Sequence, residues 1–207
     1  MEGPIVNYSL MGPVETPRLI LRMPEIADAA PFMEIFWDPE VVEKRQVTLT
    51  EEPGDLELAR RKTATLVEHW QSRGYGLWTV IEKATGEVIG CVGLQFWKGW
   101  PAVELAWVIH RSRWGQGFAT EAAAAALAWG WAHTDLDHII SLINADDLRS
   151  MRVATKVGER FARADADPIN GDPVHIYAIH RDATQDRGST TVRNGGFPAA
   201  PTGGSTR

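Results

Sequence analysis

Glu104 is the one charged residue inside an apolar run, VELAWVI over residues 103–109. Burial disfavours the charged form of a carboxyl group and brings its proton exchange toward neutral pH. Glu104 is therefore the first candidate for a general base, acting directly or through water. The same residue would also serve facing solvent, or paired with an arginine such as Arg18 or Arg22. Beyond the run, Gly115 and Gly117 permit a tight turn and a close approach of backbone to ligand. The stretch EAAAAALAWGWA follows, with high helix propensity. A strand, a glycine turn and a helix start leave the first helical N–H groups unpartnered at the positive end of the helix dipole. Such a place binds phosphate, although a plain strand-to-helix turn has the same pattern.

Other reactive side chains have bland readings beside the functional ones. Asp147 and Ser150 open a second helix, where both residue types serve as caps. Arg149, Arg152 and Lys156 make a basic strip on that helix, suited to phosphates or to solvent. Cys91 sits in VIGCVGL, the surroundings of a core residue more than of a covalent acyl carrier. His110 follows the apolar run. His69, His133, His138, His175 and His180 show no ligand spacing, so no metal is expected.

The elements that must position these groups read as follows. Residues 16–22, TPRLILR, alternate as a strand with Leu19 and Leu21 on one side. A helix runs through 24–36, is interrupted at Trp37-Asp38-Pro39, and a short one follows at 41–46. A longer helix spans 53–71, capped by Thr50, with Leu56, Ala59, Thr63, Leu66, Val67 and Trp70 on its apolar side. Strands at 77–82 and 87–95 form a hairpin around Gly86. With 103–109 they give three sequential antiparallel strands. The alanine-rich helix covers 120–134. A strand at 136–144 then lies parallel to 103–109 through a right-handed crossover. The helix at 149–157 ends at Gly158, with Met151, Val153, Ala154 and Val157 toward the core. Strands at 160–164 and 173–180 close the sheet.

The chain has 207 residues, 44% of them hydrophobic, which suits one domain with a sizeable core. We expect a loosely ordered leader over 1–14, one domain over 15–182 and a disordered tail over 183–207. A net charge of -6 argues against a broad nucleic-acid surface. No run is apolar enough to span a bilayer and no secretory signal is visible, so a cytoplasmic protein is expected. The single cysteine excludes an internal disulfide. Nine tryptophans exceed what a core of this size needs, so some line a pocket.

Three segments carry a resemblance: TPRLILR, WGQGFATEA and SMRVATKVG. WGQGFATEA resembles the acetyl-CoA pyrophosphate loop of the GNAT N-acetyltransferase superfamily. More narrowly, it looks like the branch of ribosomal-protein alanine acetyltransferases, the RimJ/RimL type. Gly117 and Ala119 match the last two fixed positions of the pattern Gln/Arg-x-x-Gly-x-Gly/Ala. Trp114 stands where Gln or Arg is usual, so that residue's role is either missing here or falls to Arg113. The resemblance implies a mixed α/β fold: a mostly antiparallel sheet of six to seven strands, splayed at a parallel pair and flanked by about four helices. It implies acetyl-CoA, with its pyrophosphate on the N–H groups of Gly115, Gln116, Gly117, Phe118, Ala119 and Thr120. The pantetheine arm would pair with Trp107, Val108 and Ile109, one of whose N–H groups would hold the oxyanion. Asp147 and Ser150 resemble the branch's Asn-x-x-Ser segment, in which the serine lies near the sulfur. Asp147 replaces the asparagine, and Asn144 could take over its contact.

The implied activity is direct acetyl transfer to a primary amine in a ternary complex, by a monomer or homodimer without nucleic-acid or membrane partners. Protein N-termini, lysines, amino sugars, amino acids and polyamines all remain as acceptors. A non-catalytic acyl-CoA sensor of the same fold is the alternative. A nucleotide-phosphate enzyme of another fold is a third.

Overall fold

The computed structural model of the chain describes residues 12–45 and 55–181. The leader through residue 11, the expected Thr50 cap and the tail from residue 183 lie outside the described residues. Eight strands form one sheet in the order β1-β2-β3-β4-β5-β6-β8-β7. These are β1 (Val14–Glu15), β2 (Leu19–Arg22), β3 (Leu77–Glu82), β4 (Val88–Gln95), β5 (Glu104–Ile109), β6 (His138–Asn144), β7 (Arg160–Ala166) and β8 (Pro173–His180). Neighbours pair antiparallel except β5 and β6, which run parallel. The sheet is the expected splayed mixed one. It has a strand more than expected, because Val14–Glu15 turns back onto β2.

Five α-helices flank it: α1 (Ala29–Phe36), α2 (Pro39–Arg45), α3 (Leu56–Arg73), α4 (Phe118–His133) and α5 (Leu148–Val157). The α4 helix lies on one face because Ala122, Ala123 and Ala126, all 0% exposed, let its backbone approach Leu105 and Ile109. Trp70 of α3, Trp78 of β3 and Trp129 of α4 meet edge to face in the same core, a geometry that aromatic quadrupoles favour. On the other face, Phe32 and Ile35 of α1 pack over Leu77 and Cys91. Two sequence expectations need correction. Asp55 is the cap of α3, accepting from the Glu57 and Leu58 N–H groups, so the helix begins after residue 53. Its buried side carries Leu58, Ala59, Thr63, His69 and Trp70, while Leu56 is exposed. In α5 only Ala154 is fully buried.

Two long-range links hold the region around the glycine turn. Glu121, in the first turn of α4, accepts from Thr16 Oγ1 at 2.6 Å, the Arg18 N–H at 2.9 Å and Arg18 Nε at 2.6 Å. Arg18 also donates to the Gln116 carbonyl and covers the Phe118 ring. Burial pushes the Glu121 carboxyl up, but these donors outweigh it and hold it below its usual range.

The second link is between β5 and β6. Their parallel ladder has one registered pair, Glu104 with Ile140, beside a bond from the Ile140 N–H to the Val103 carbonyl at 3.0 Å. One residue on, the Ser141 hydroxyl reaches across to the Leu105 carbonyl at 2.7 Å, and also lies 3.0 Å from Glu159 Oε1. A hydroxyl has one proton, and a carbonyl can only accept. Ser141 therefore donates to Leu105, and Glu159 brings its own proton and donates to Ser141. Glu159 follows the α5 C-cap Gly158, is 2% exposed, and its Oε2 has no partner among the described residues. A charged oxygen there would be costly. Burial accordingly lifts its pKa from 4.5 to about 8, helped by the nearby Glu104 carboxylate.

The native state thus keeps this proton between pH 4.5 and about 8, where the unfolded chain has lost it. The contribution is complete below the unfolded pKa and is lost as pH rises through that window. In denaturant melts, wild type should lose up to about 1.4 kcal/mol per pH unit across it relative to Glu159→Gln. Parallel stability–pH curves for the two proteins would mean that Glu159 is ionised.

Candidate active site

Once Ser141 has met Leu105, β5 and β6 share no further registered pair. The backbone of Trp107, the next residue to face β6 while Ala106 and Val108 pair with β4, is therefore left without a β6 partner, and two cavities open beside it. Trp107, Val108, Asp147 and Ser150 line both. The breach in the sheet is thus the place where a molecule in one cavity could touch a molecule in the other.

The first cavity, about 460 Å³, lies between β5, the glycine turn and α5. Gly115 and Gly117 carry φ of 75° and 83°, left-handed values that cost a residue with a Cβ about 1–2 kcal/mol. Gly117 is the N-cap of α4, and the first inward helical bond is from the Glu121 N–H to the Gly117 carbonyl at 3.0 Å. The N–H groups of Phe118, Ala119 and Thr120 are left pointing at the cavity end of the dipole. Arg149, Arg152 and Lys156 line it from α5, so the basic strip faces the cavity and not only solvent. The Arg149 guanidinium lies 3.5 Å above the Trp114 ring and ties α5 to the turn. Asp147 is the one acid in this lining. Oriented amides and a cationic rim suit a polyphosphate with an extended tail along β5.

The second cavity, about 420 Å³, is walled by Phe36 at the end of α1 and its C-cap Trp37, Leu66 of α3, Trp97 and Trp100 of the β4–β5 connection, and Ile169 of the β7–β8 loop. Glu104 is in its lining and only 7% exposed. Its Oε2 accepts from Gln95 Nε2 and Trp100 Nε1, both at 2.7 Å, and the Leu142 N–H approaches Oε1 at 3.4 Å. The arginine alternatives fall away, since Arg18 pairs with Glu121 and Arg22 with Asp28. Gln95 passes the restraint on, its Oε1 accepting from Trp97 Nε1 at 2.9 Å.

The sequence-based assignments are partly redistributed. Trp107, Val108, Ile109, Gly115, Gly117, Phe118, Ala119 and Thr120 all line the first cavity. Gln116 does not: its carbonyl holds Arg18 and its side chain bonds back to the Ser112 carbonyl. Arg113 is in the lining but is committed to Glu82 at 3.0 Å and Glu87 at 2.8 Å, anchoring the turn to the β3–β4 hairpin. Asp147, not Ser150, is the α5 cap; its Oδ1 accepts from the Arg149 and Ser150 N–H groups. Ser150 donates to Asp147 Oδ2 at 2.8 Å and accepts from Trp107 Nε1 at 3.2 Å, which puts its hydroxyl at the breach. Asn144 lines the second cavity, and its Oδ1 accepts from the Asp146 N–H. His110 caps the short turn Arg111–Arg113. Cys91 is 1% exposed among core residues and reaches the second lining only from β4. Sequence reasoning missed Glu159, Ser141, Trp97 and Trp100; of these, only the tryptophan excess gave a signal.

Comparison with known proteins agrees with this geometry. The acetyltransferase (GNAT) domain family matches residues 18–160. The uncharacterized protein YkkB of Bacillus subtilis (strain 168) is 33% identical over 156 residues, covering 72% of this chain and 85% of that protein. The uncharacterized N-acetyltransferase p20 of Bacillus licheniformis is 27% identical over 139 residues, covering 67% and 76%. An acetyltransferase from Agrobacterium tumefaciens str. C58 superposes with a TM-score of 0.70 at 24% identity, covering 86% of this chain and all of that one. The RimL ribosomal L7/L12 alpha-N-protein acetyltransferase, solved with coenzyme A, has a TM-score of 0.70 at 17% identity, covering 83% of this chain and 99% of that one. With a family match over more than two thirds of its length laid on a sheet breached beside a phosphate-binding turn, the chain belongs to the GNAT acetyltransferase family and is an acetyl-CoA-dependent acyltransferase.

Proposed function

We propose that the protein moves the acetyl group of acetyl-CoA directly to a primary amine, with thioester and amine entering from the two cavities and meeting at β5. The observation that carries this reading is the shared lining: Trp107, Val108, Asp147 and Ser150 face both spaces at once. The N–H groups of residues 117–120 would hold the pyrophosphate, and Arg149, Arg152 and Lys156 the remaining phosphate charge. The pantetheine arm would pair with the free edge of β5, as an added strand does. A backbone N–H of Trp107 or Ile109 would be the oxyanion donor, since that of Val108 turns to β4.

The amine nitrogen attacks the thioester carbonyl carbon, and a C–N bond forms as the carbonyl electrons move to oxygen. Glu104 takes the proton from nitrogen, directly or through water. Collapse of the tetrahedral centre breaks the C–S bond and releases coenzyme A as a thiolate. The Ser150 hydroxyl, polarised by the Trp107 indole N–H behind it, turns from Asp147 to donate to that sulfur. Cys91 has no place in the scheme. Initial-rate plots should intersect, as in a ternary complex, and Cys91→Ala should retain turnover. The acyl-CoA sensor alternative predicts coenzyme A binding without thiol release across a broad amine panel.

Three variants test the parts. Glu104→Gln should lower kcat/KM by about 10²–10⁴ and remove the acid limb of the pH–rate profile. Its affinity for coenzyme A, read by calorimetry, should stay at the wild-type value; an unchanged profile would take Glu104 out of the mechanism. Gly117→Ala must place a Cβ at φ 83°, so binding of coenzyme A should weaken by about tenfold. Ser150→Ala keeps the Asp147 cap and should leave the melting temperature near wild type while slowing turnover. A lowered melting temperature with full turnover would leave Ser150 a structural role only.

A further inference from the structure

The second cavity has an uneven chemistry. Most of its polar side chains are already engaged, with one another or with nearby backbone, while the buried Trp37 indole N–H has no partner among the described residues. Gln95 spends its amide N–H on Glu104 and its oxygen on Trp97. Ser141 is bound between Leu105 and Glu159. Asn144 caps its own turn. Asp147 spends both oxygens on the start of α5. Asp167 accepts from the Ile169 and Asn170 N–H groups. What the wall presents outward is flat and apolar. Trp97 and Trp100 use their indole N–H groups internally, on Gln95 and Glu104, so only ring surface remains for a ligand. Those rings are also fixed. His69 lies 4.8 Å from the Trp97 ring. It is itself pinned between the Tyr75 carbonyl at 2.9 Å and the Phe96 N–H at 3.1 Å. Phe36, Trp37, Leu66 and Ile169 complete the surface. Against this stand, among the described residues, three carboxylates in the lining, Glu104, Asp147 and Asp167, and one cation, Lys62.

We propose that the acceptor carries its primary amine a short link away from a planar aromatic body. The indoles of Trp97 and Trp100 would hold the ring while Glu104 receives the amine. The proposal rests on reading the second cavity as the acceptor's, and it narrows the acceptor class. An amino sugar needs several hydroxyl partners, and its unpaired polar groups would be penalised on burial. A polyamine needs carboxylates spaced along its length, whereas Asp147 already accepts from two backbone N–H groups and the Ser150 hydroxyl, and Asp167 Oδ1 from two backbone N–H groups. An aryl amine asks for one carboxylate and stacking surface, which adds to area burial. Its arriving ammonium is drawn by the indole faces and the acidic balance. Free arylalkylamines and peptides that begin with an aromatic residue share this chemistry.

The experiment measures thiol release from acetyl-CoA with 2-phenylethylamine, an alkylamine of matched length, spermidine, glucosamine and a peptide beginning with phenylalanine. Mass spectrometry identifies the products. The expected result is a kcat/KM for 2-phenylethylamine about tenfold above the alkylamine, with spermidine and glucosamine lower still. The peptide arm decides between a free amine and a protein N-terminus as its source. In Trp97→Leu the ratio of aryl to alkyl amine should fall toward one, a comparison internal to the variant, with coenzyme A binding confirming its fold. Preference for spermidine or glucosamine, or an unchanged ratio in Trp97→Leu, overturns the aromatic acceptor and leaves acetyl transfer standing. Absence of transfer to every amine, with coenzyme A bound, overturns both.

Discussion

The failure of β5 and β6 to complete their ladder is the constraint on which the rest of the structure depends. Parallel strands in a sheet ordinarily exchange evenly spaced hydrogen bonds along their length. Here a single registered pair and the Ser141 bond to the Leu105 carbonyl hold the two strands at one end. Beyond that point each strand has unpaired backbone, a liability in most sheets and here the wall of a cleft. The device that fixes the end of pairing is a side chain, since Glu159 holds Ser141 in place with its own proton. Glu104 belongs to the last registered pair and to the second cavity lining. The residue proposed as the base and the point where the sheet opens are therefore the same residue.

The glycine turn is held by the same logic of spending polar groups on geometry. Glu121 and Arg18 clamp one side, and Arg113 with Glu82 and Glu87 clamps the other. With its anchors occupied, the turn presents backbone amides with little freedom left to lose. Preorganised donors of this kind cost little reorganisation when a ligand arrives. The opening segment TPRLILR finds its reason here: Thr16 and Arg18 serve the turn while Leu19 and Leu21 serve the core.

Much of this was legible in the sequence, and the division has a physical cause. The β5 strand, the positive-φ glycines and the alanine-rich helix are local signals, decided by residue types at short spacing, and they came out within two residues of their observed bounds. Asp55 and Thr50 are both cap types, and only the folded chain distinguishes them. Glu159 carries no local mark. It stands just before a strand whose residues are all exposed, and its burial comes from β6 and α5 closing over it. Trp97 and Trp100 sit in an irregular connection without period, so their number drew notice while their place did not. The polar network of Gln95, Glu104 and Trp100 required the β4–β5 register that sets Gln95 opposite Glu104.

The Thr16–Arg18 clamp on Glu121 joins residues about a hundred positions apart in sequence. A nascent chain emerging from the ribosome cannot close it until most of the sheet has been synthesised, and loop closure over that span delays the contact further. The glycine turn therefore matures only after the first five strands have been made. A chain interrupted before α4 could bury a good share of its tryptophans while having no grip on a nucleotide cofactor.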